Sequence, residues 1–207
     1  MRGRGMYDGN TLEMMLFCLW IYLPGFLVNT FAMMWGKWLP KTGYGPWPID
    51  GGRMHKDGNR ILGDGKTWNG LFGGSLTSGL LCYLMTIIPT SWIFLSPTEN
   101  ATGWAANAFI LGSFLGFTSL IGDSTGSYFK RRKGMKREGE VSSKAPLLDT
   151  LPFAISVFIF GQIFLTGSDH GNRDLLLPMA LLIILTPLLH RSFNLIGYKI
   201  GWKEVPY

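Results

Sequence analysis

The stretch NATGWAANAFILGSFLGFTSLIGDSTGSYFKRRK, residues 100–133, decides the fold class. It carries no charged side chain from Asn100 through Gly122, and then Asp123 precedes a dense run of Lys and Arg. About 20 apolar residues in a helix are needed to cross the hydrocarbon core of a bilayer. The stretch therefore predicts a transmembrane helix whose charged end lies at the membrane border.

Four other segments of the chain are also long and uncharged. Only 15% of the residues are charged and 47% are hydrophobic, whereas an ordinary soluble domain carries about 25% charge. We therefore expect an all-α integral membrane protein, not a disordered chain, a coiled coil or a disulfide-rich secreted domain. The expected single membrane domain, residues 1–207, contains about five transmembrane helices, near residues 12–36, 71–95, 103–122, 150–168 and 175–197.

The distribution of Lys and Arg predicts how these helices are oriented. The N-terminal tail carries two basic residues, and the four connections carry six, none, seven and one in chain order. The end of the chain carries three. Connections rich in Lys and Arg stay on the cytoplasmic side. We therefore expect a multi-pass protein of the cell membrane with its N-terminus outside and its C-terminus in the cytoplasm. Two long loops, residues 37–70 and 123–149, would both be cytoplasmic.

The net charge of +6 does not indicate nucleic acid as a partner. No aromatic residues interleave with a basic stripe, and the positive charge is divided by membrane side. Membrane lipids are the expected surroundings. Because a basic cluster beside a membrane can bind anionic headgroups, simple anchoring remains one explanation of the cluster that begins at Lys130.

The first long loop combines glycines with Asp and Lys in the string Ile61-Leu62-Gly63-Asp64-Gly65-Lys66-Thr67-Trp68. Glycines let backbone amides approach phosphate oxygens, Lys66 can neutralise them, and a carboxylate can hold the accompanying cation. A P-loop is rejected because the position that requires its first glycine is Arg60. The alternative is a set of tight turns in which pairs such as Asp57-Gly58 supply positive φ angles.

The second long loop is bordered by two carboxylates. We expect Asp123 and Asp149 at the same membrane depth on adjacent helix ends, where they can share a divalent cation. If the third helix continues past Asp123, polar residues spaced three or four positions apart share one of its faces. Those residues are Ser127, Lys130 and Arg131, whereas Arg132 and Lys133 are expected to point elsewhere.

The two loops together resemble the paired motifs of the membrane cytidylyltransferases that make CDP-diacylglycerol. The matching strings are Lys66-Thr67-Trp68-x-Gly70-x-x-Gly73-Gly74 and Gly122-Asp123-x-x-x-Ser127-x-x-Lys130-Arg131-x-x-Gly134-x-Lys136. The small size, the five expected spans and the direct passage to Leu147-Leu148-Asp149-x-Leu151 are more similar to the short archaeal relatives, the CDP-archaeol synthases. The resemblance covers both loops and the flanking helix ends.

The resemblance implies a CTP- and Mg²⁺-dependent cytidylyltransferase of archaeal phospholipid biosynthesis, with its active site in the cytoplasm. The phosphate of an isoprenoid ether lipid, 2,3-di-O-geranylgeranylglyceryl phosphate, would attack the α-phosphorus of CTP and release pyrophosphate. Asp123 and Asp149 are assigned to Mg²⁺, and Lys66, Lys130 and Arg131 to the phosphates. The remaining candidates for nucleotide contact are Asp64, Gly65, Thr67, Ser124 and Ser127, of which Asp64 is also a candidate metal ligand.

Two departures from the CDP-diacylglycerol pattern matter. Lys136-Arg137 stands where those enzymes carry Lys-Asp, and Ala145-Pro146 lies where a His-Gly-Gly element is expected. One expected carboxylate is therefore missing, and Asp50, Asp64 or Glu138 could replace it. A CDP-diacylglycerol-type enzyme acting on phosphatidic acid and a non-enzymatic membrane carrier remain the alternatives.

The predicted orientation can be tested by cysteine labelling in a protein whose Cys18 and Cys82 are replaced. A cysteine at Thr98 should react with a membrane-impermeant maleimide from outside intact cells, whereas one at Ser142 should not, because basic loops stay inside. The reversed labelling pattern would place both basic loops outside and contradict the topology.

Overall fold

The computed structural model describes residues 11–87, 101–135, 146–164 and 176–199. Within these ranges the architecture is all-helical, as expected, and the only extended pairing is two isolated bridges. A short 3-10 helix, Leu39–Thr42, follows the first α-helix. The α-helices are α1 (Thr11–Trp38), α2 (Trp68–Met85), α3 (Ala101–Arg132), α4 (Pro146–Phe164) and α5 (Leu176–Lys199).

Helix α3 is central and packs closely against α2 through small residues. A Cβ atom added at Gly116 would lie only 2.6 Å from the Cβ of Ser78. The hydroxyl of Ser78 in turn donates a hydrogen bond to the carbonyl of Gly112 at 3.0 Å. Glycines four positions apart let two helix backbones approach closely, so α2 and α3 form a tight pair.

Helix α4 packs against a second glycine surface of α3. A Cβ atom added at Gly122 would lie 2.9 Å from the Cα of Phe153, and Gly126 lies against the carbonyl of Leu148. Since a later residue of α3 meets an earlier residue of α4, the helices run antiparallel. The last turns of α3 therefore lie beside the first turn of α4.

Helix α1 crosses from α4 to α2 along its length. Gly25 lies between Val157 of α4 and Leu115 of α3, whereas Ala32 packs against Gly70 and Gly74 at the start of α2. The second half of α1 thus supports the N-terminal turn of α2.

All five helices contribute to one buried apolar cluster. Both cysteines belong to it as free, buried thiols, together with residues such as Tyr22, Val157 and Leu182. Outward-facing positions are apolar as well, and Leu76, Phe114 and Ile159 are each more than half exposed. An apolar exterior around an apolar core suits lipid as the solvent. By length and composition, Cys18–Thr42 and Asn107–Arg132 could each cross a membrane.

Several helices extend into the segments that the distribution of charged residues predicted to be loops. Helix α2 starts at Trp68 because Thr67 caps it, accepting the N–H of Gly70 at 3.1 Å. Helix α3 continues through Arg132, and α4 begins at Pro146, where a proline fits the first helical turn. Beyond α3, Gly134 adopts a positive φ of 66°, which is typical just after a helix C-terminus. Charged residues therefore do not mark the helix ends.

Candidate functional site

Residues 39–67, here called loop A, fold back onto the start of α2. The N–H of Ile49 donates to the carbonyl of Lys66 at 2.8 Å, and the N–H of Trp68 donates to the carbonyl of Trp47 at 2.9 Å. These two bonds bind the middle of loop A to its end. They fix Lys66 directly before the N-terminus of α2.

Asp50 accepts hydrogen bonds from several parts of loop A and so connects them. Its side chain is fully buried, and it accepts hydrogen bonds from Arg60 at 2.6 Å and from the N–H groups of Leu62 and Gly63 at 3.0 Å each. Burial by itself would raise the pKa of Asp50, but the guanidinium of Arg60 and the backbone donors hold that pKa well below its usual range. Asp50 is thus an ionised structural residue whose oxygens are already occupied.

Asp64 is directed to Arg60 and not toward the other carboxylates. The Nη1 of Arg60 donates to Asp64 at 2.6 Å, and the Asp64 side chain is 69% exposed. Gly65 lies in the exposed turn that connects Asp64 to Lys66. Glu138, the third candidate for a replacement carboxylate, lies outside the described residues.

The first contact between the two motif segments joins loop A to α3. The Nζ of Lys66 forms an ion pair with Asp123, and both side chains are largely buried. Asp123 lies eleven positions after Gly112 on the face of α3 that meets α2, so it projects toward the start of α2. The glycine packing of α2 on α3 therefore brings Lys66 within reach.

The second contact joins α3 to α4. The Nζ of Lys130 forms an ion pair with Asp149, and these side chains are also mostly buried. Lys130 lies in the last turn of α3 and Asp149 in the first turn of α4. Each charge is at the helix end that the helix dipole favours, a cation at the C-terminus and an acid at the N-terminus.

The polar residues of α3 follow one another on a continuous helix. Because α3 extends to Arg132, Asp123, Ser127 and Lys130 are spaced four and three positions apart and share one face. Ser127 is buried, and Arg131 lies at the edge of this face, where its guanidinium donates to the carbonyl of Met135. The expected face is therefore formed in the structure.

Two of the expected hydroxyl groups already have partners within their own helices. The Oγ1 of Thr67 caps α2, and the hydroxyl of Ser124 donates to the carbonyl of Leu120 at 2.8 Å. Thr67 is buried, whereas Ser124 is partly exposed. Nucleotide contact by Thr67, Ser124 and Ser127 stays a prediction.

The structure also reveals two arginines that the sequence analysis did not assign to the site. Arg60 holds Asp50 and Asp64, and Arg132 contacts Asp57 at 2.8 Å and the carbonyl of Arg60 at 2.7 Å. Arg132 does point away from Asp123, as expected, but loop A covers that side of α3. The role of Arg132 has no local signal, because its partners lie more than 70 residues away in sequence.

Comparison with known proteins decides the family. The family model for CarS-like proteins, described as CDP-archaeol synthase, matches residues 11–207. The chain belongs to the CDP-archaeol synthase family. The match spans both motif segments and all five helices, so the resemblance drawn from the motifs is confirmed, and the chain is a cytidylyltransferase.

Individual relatives align in sequence with this chain over nearly their whole length. A CDP-archaeol synthase of Thermococcus gammatolerans is 37% identical over 196 residues, which cover 95% of this chain and 98% of the relative. A CDP-archaeol synthase of Methanosarcina barkeri is 38% identical over 193 residues, which cover 89% and 99% of the two chains. The family is thus represented by relatives of the same size.

A solved structure described as an intramembrane enzyme for archaeal membrane lipids biosynthesis has a similar fold. The TM-score is 0.58 with 26% sequence identity, and the match covers 89% of this chain and 94% of that chain. Together with the apolar exterior, this similarity shows that the CDP-archaeol synthase fold seen here is that of a membrane protein.

Asp50 gives a testable prediction about loop A. Since its pKa is lowered in the folded protein, the stabilisation it provides is present above its unfolded pKa of about 3.9 and is lost only as pH falls through the lower folded value. Hydrogen-exchange protection of the Leu62 and Gly63 amides should therefore be constant from about pH 6 to 8. Asp50→Asn should reduce it at least about tenfold at neutral pH, because Arg60 loses its charged partner.

Asp64→Asn is the matched control, since it removes the exposed partner of the same arginine. It should change the protection of these amides by less than about threefold. Equal losses from the two variants would contradict the central role of Asp50 in loop A.

Proposed function

We propose that this protein transfers the cytidylyl group of CTP to 2,3-di-O-geranylgeranylglyceryl phosphate, forming CDP-archaeol and pyrophosphate. The observation that carries the proposal is the pair of contacts Lys66–Asp123 and Lys130–Asp149, which connect loop A to α3 and α3 to α4 at one end of the bundle. Two lysines can neutralise part of the charge of a triphosphate, and two carboxylates can hold the metal ion that neutralises the rest.

The reaction requires charge neutralisation and positioning more than proton transfer. The lipid phosphate is already ionised at neutral pH, so its attack on the α-phosphorus needs no general base. A bond forms between a lipid phosphate oxygen and the α-phosphorus, and the bond from the α-phosphorus to the pyrophosphate oxygen breaks. Lys66, Lys130 and Arg131 would bind the phosphates and hold the reacting groups in line.

Asp123 and Asp149 are the residues that would hold Mg²⁺. Mg²⁺ is commonly bound by one or two carboxylates together with substrate phosphates. Asp123 and Asp149 supply carboxylate oxygens, the ligand type that suits Mg²⁺, at the end of the bundle where the two ion pairs lie. When bound, the ion supplies positive charge that neutralises the phosphates of CTP.

The lysines would exchange their partners when substrate binds. Without substrate, Lys66 and Lys130 compensate the charges of Asp123 and Asp149, since a mostly buried carboxylate without a partner is strongly unfavourable. With the nucleotide and its metal ion present, each lysine leaves its carboxylate for a phosphate. Every charged group thus keeps a partner of opposite charge in both states.

The site would face the cytoplasm, where CTP is found, with the N-terminus outside and all five helices spanning the membrane. The counts of Lys and Arg support this orientation. Trp35 and Trp38 near the end of α1 and Trp68 at the start of α2 are all at least 40% exposed. Because Trp is enriched at membrane interfaces, these three residues support a membrane border at the depth of Lys66.

The experiment that tests the proposed function is turnover by the purified, detergent-solubilised protein. With CTP, Mg²⁺ and the geranylgeranyl ether phosphate, we expect one pyrophosphate per CDP-lipid formed. Replacing the ether lipid with phosphatidic acid should lower kcat/KM by at least about tenfold if the site distinguishes isoprenoid chains. Preference for phosphatidic acid would favour the CDP-diacylglycerol-type alternative, and absence of CTP consumption would favour the carrier.

The assignment of the carboxylates gives a prediction for the same assay. Asp123→Asn and Asp149→Asn should each lower turnover by about 100-fold or more at saturating Mg²⁺, because they remove charge with little change of shape. Asp64→Asn should be much milder, since Asp64 is paired with Arg60. Near-normal turnover of either of the first two variants would remove that residue from the metal site.

A further inference from the structure

Arg132, the last residue of α3, makes two contacts with loop A and a third with a residue of its own helix. Its Nη1 donates to Asp57 at 2.8 Å and its Nη2 donates to the carbonyl of Arg60 at 2.7 Å. Its guanidinium also lies over the ring of Tyr128, 5.2 Å from the ring centre. The two donors and the stacked face hold this side chain in one place, with only 16% of it exposed.

A continuous series of contacts leads from Arg132 to Lys66. The side chain of Arg60 holds Asp50, and Asp50 accepts the N–H group of Gly63 at 3.0 Å. The carbonyl of Gly63 then accepts the N–H of Lys66 at 3.2 Å. The position of Lys66 therefore depends on where Arg132 holds the middle of loop A.

Two of the described ion pairs attach loop A to α3. One is the ion pair of Lys66 with Asp123, and the other is that of Asp57 with Arg132, nine positions and about 13.5 Å further along the helix axis. When Lys66 exchanges Asp123 for a phosphate, the first attachment is lost. The attachment at Arg132 remains, because its partners belong to loop A and not to the substrate.

We propose that Arg132 and Asp57 are positioning residues that keep loop A against α3 while Lys66 moves from Asp123 to the nucleotide. That the two residues hold loop A against α3 rests on the described contacts alone. That they do so while Lys66 moves to the nucleotide rests on the proposed function. Asp57 is suited to this task, because it is ionised at neutral pH, and the N–H of Asn59 and the charge of Arg132 lower its pKa further.

The inference makes Arg132 different from its neighbours in the basic cluster. Lys130 and Arg131 are on or beside the face of α3 that carries Asp123, where a nucleotide phosphate would lie. Arg132 is on the opposite side, so it would act on CTP only through loop A. Lys133 is exposed and provides a control that removes the same charge one position further along.

The test compares wild type, Arg132→Gln, Asp57→Asn, the double variant and Lys133→Gln, all as full-length protein in nanodiscs. The first measurement is hydrogen exchange of residues 50–64 without substrate. Arg132→Gln should speed exchange about tenfold, and Asp57→Asn should have a smaller effect because the bond to the Arg60 carbonyl remains. The double variant should exchange like Arg132→Gln, and Lys133→Gln like wild type.

The second measurement is steady-state turnover with varied CTP. Arg132→Gln should raise the KM for CTP about tenfold with a smaller change in kcat, since the reacting groups are still present. Arg132→Lys should restore only part of the affinity, because a single ammonium cannot reach both acceptors with the geometry of a guanidinium.

Unchanged exchange in Arg132→Gln, or equal effects from Lys133→Gln, would overturn the inference. So would a double variant whose effect is the sum of the single effects, because the two residues would then act independently. An inactive wild type would contradict the proposed function, whereas the exchange measurement would still decide whether Arg132 and Asp57 hold loop A.

Discussion

At one end of the apolar bundle, charged side chains on neighbouring segments must compensate one another. The site depends on this constraint. A carboxylate or ammonium group that faces other helices needs a partner of opposite charge. The pairs Lys66–Asp123 and Lys130–Asp149 provide these partners and at the same time connect loop A to α3 and α3 to α4. The groups that stabilise this end of the fold are therefore the same groups to which we assign the reaction.

Helix packing determines whether these pairs can form. Gly116 lets α2 approach α3, and Gly122 and Gly126 let α4 approach it from another side. A shift of one helical turn, about 5.4 Å, would separate each lysine from its carboxylate. The small residues of α3 thus position both ion pairs.

Much of this arrangement was predictable from the sequence. Uncharged runs indicated an all-helical protein, and the motif strings brought Lys66, Asp123, Lys130 and Asp149 into one hypothesis. The tight turn considered as the alternative at Asp57-Gly58 is present, since the N–H of Asn59 donates to Asp57 at 3.0 Å and Gly58 has a φ of 76°. Arg132 was not assigned a role, because a run of basic residues is usually a solvated surface and only the folded loop shows its partners.

Binding of Mn²⁺ in place of Mg²⁺, followed by electron paramagnetic resonance, tests the exchange of partners most directly. In wild type, CTP should increase the affinity for Mn²⁺, because it draws the lysines away from the carboxylates. Lys66→Met should bind Mn²⁺ more tightly than wild type without CTP, since Asp123 has lost its competing cation, and should gain less from CTP. Weaker or unchanged Mn²⁺ binding by Lys66→Met without CTP would contradict the account.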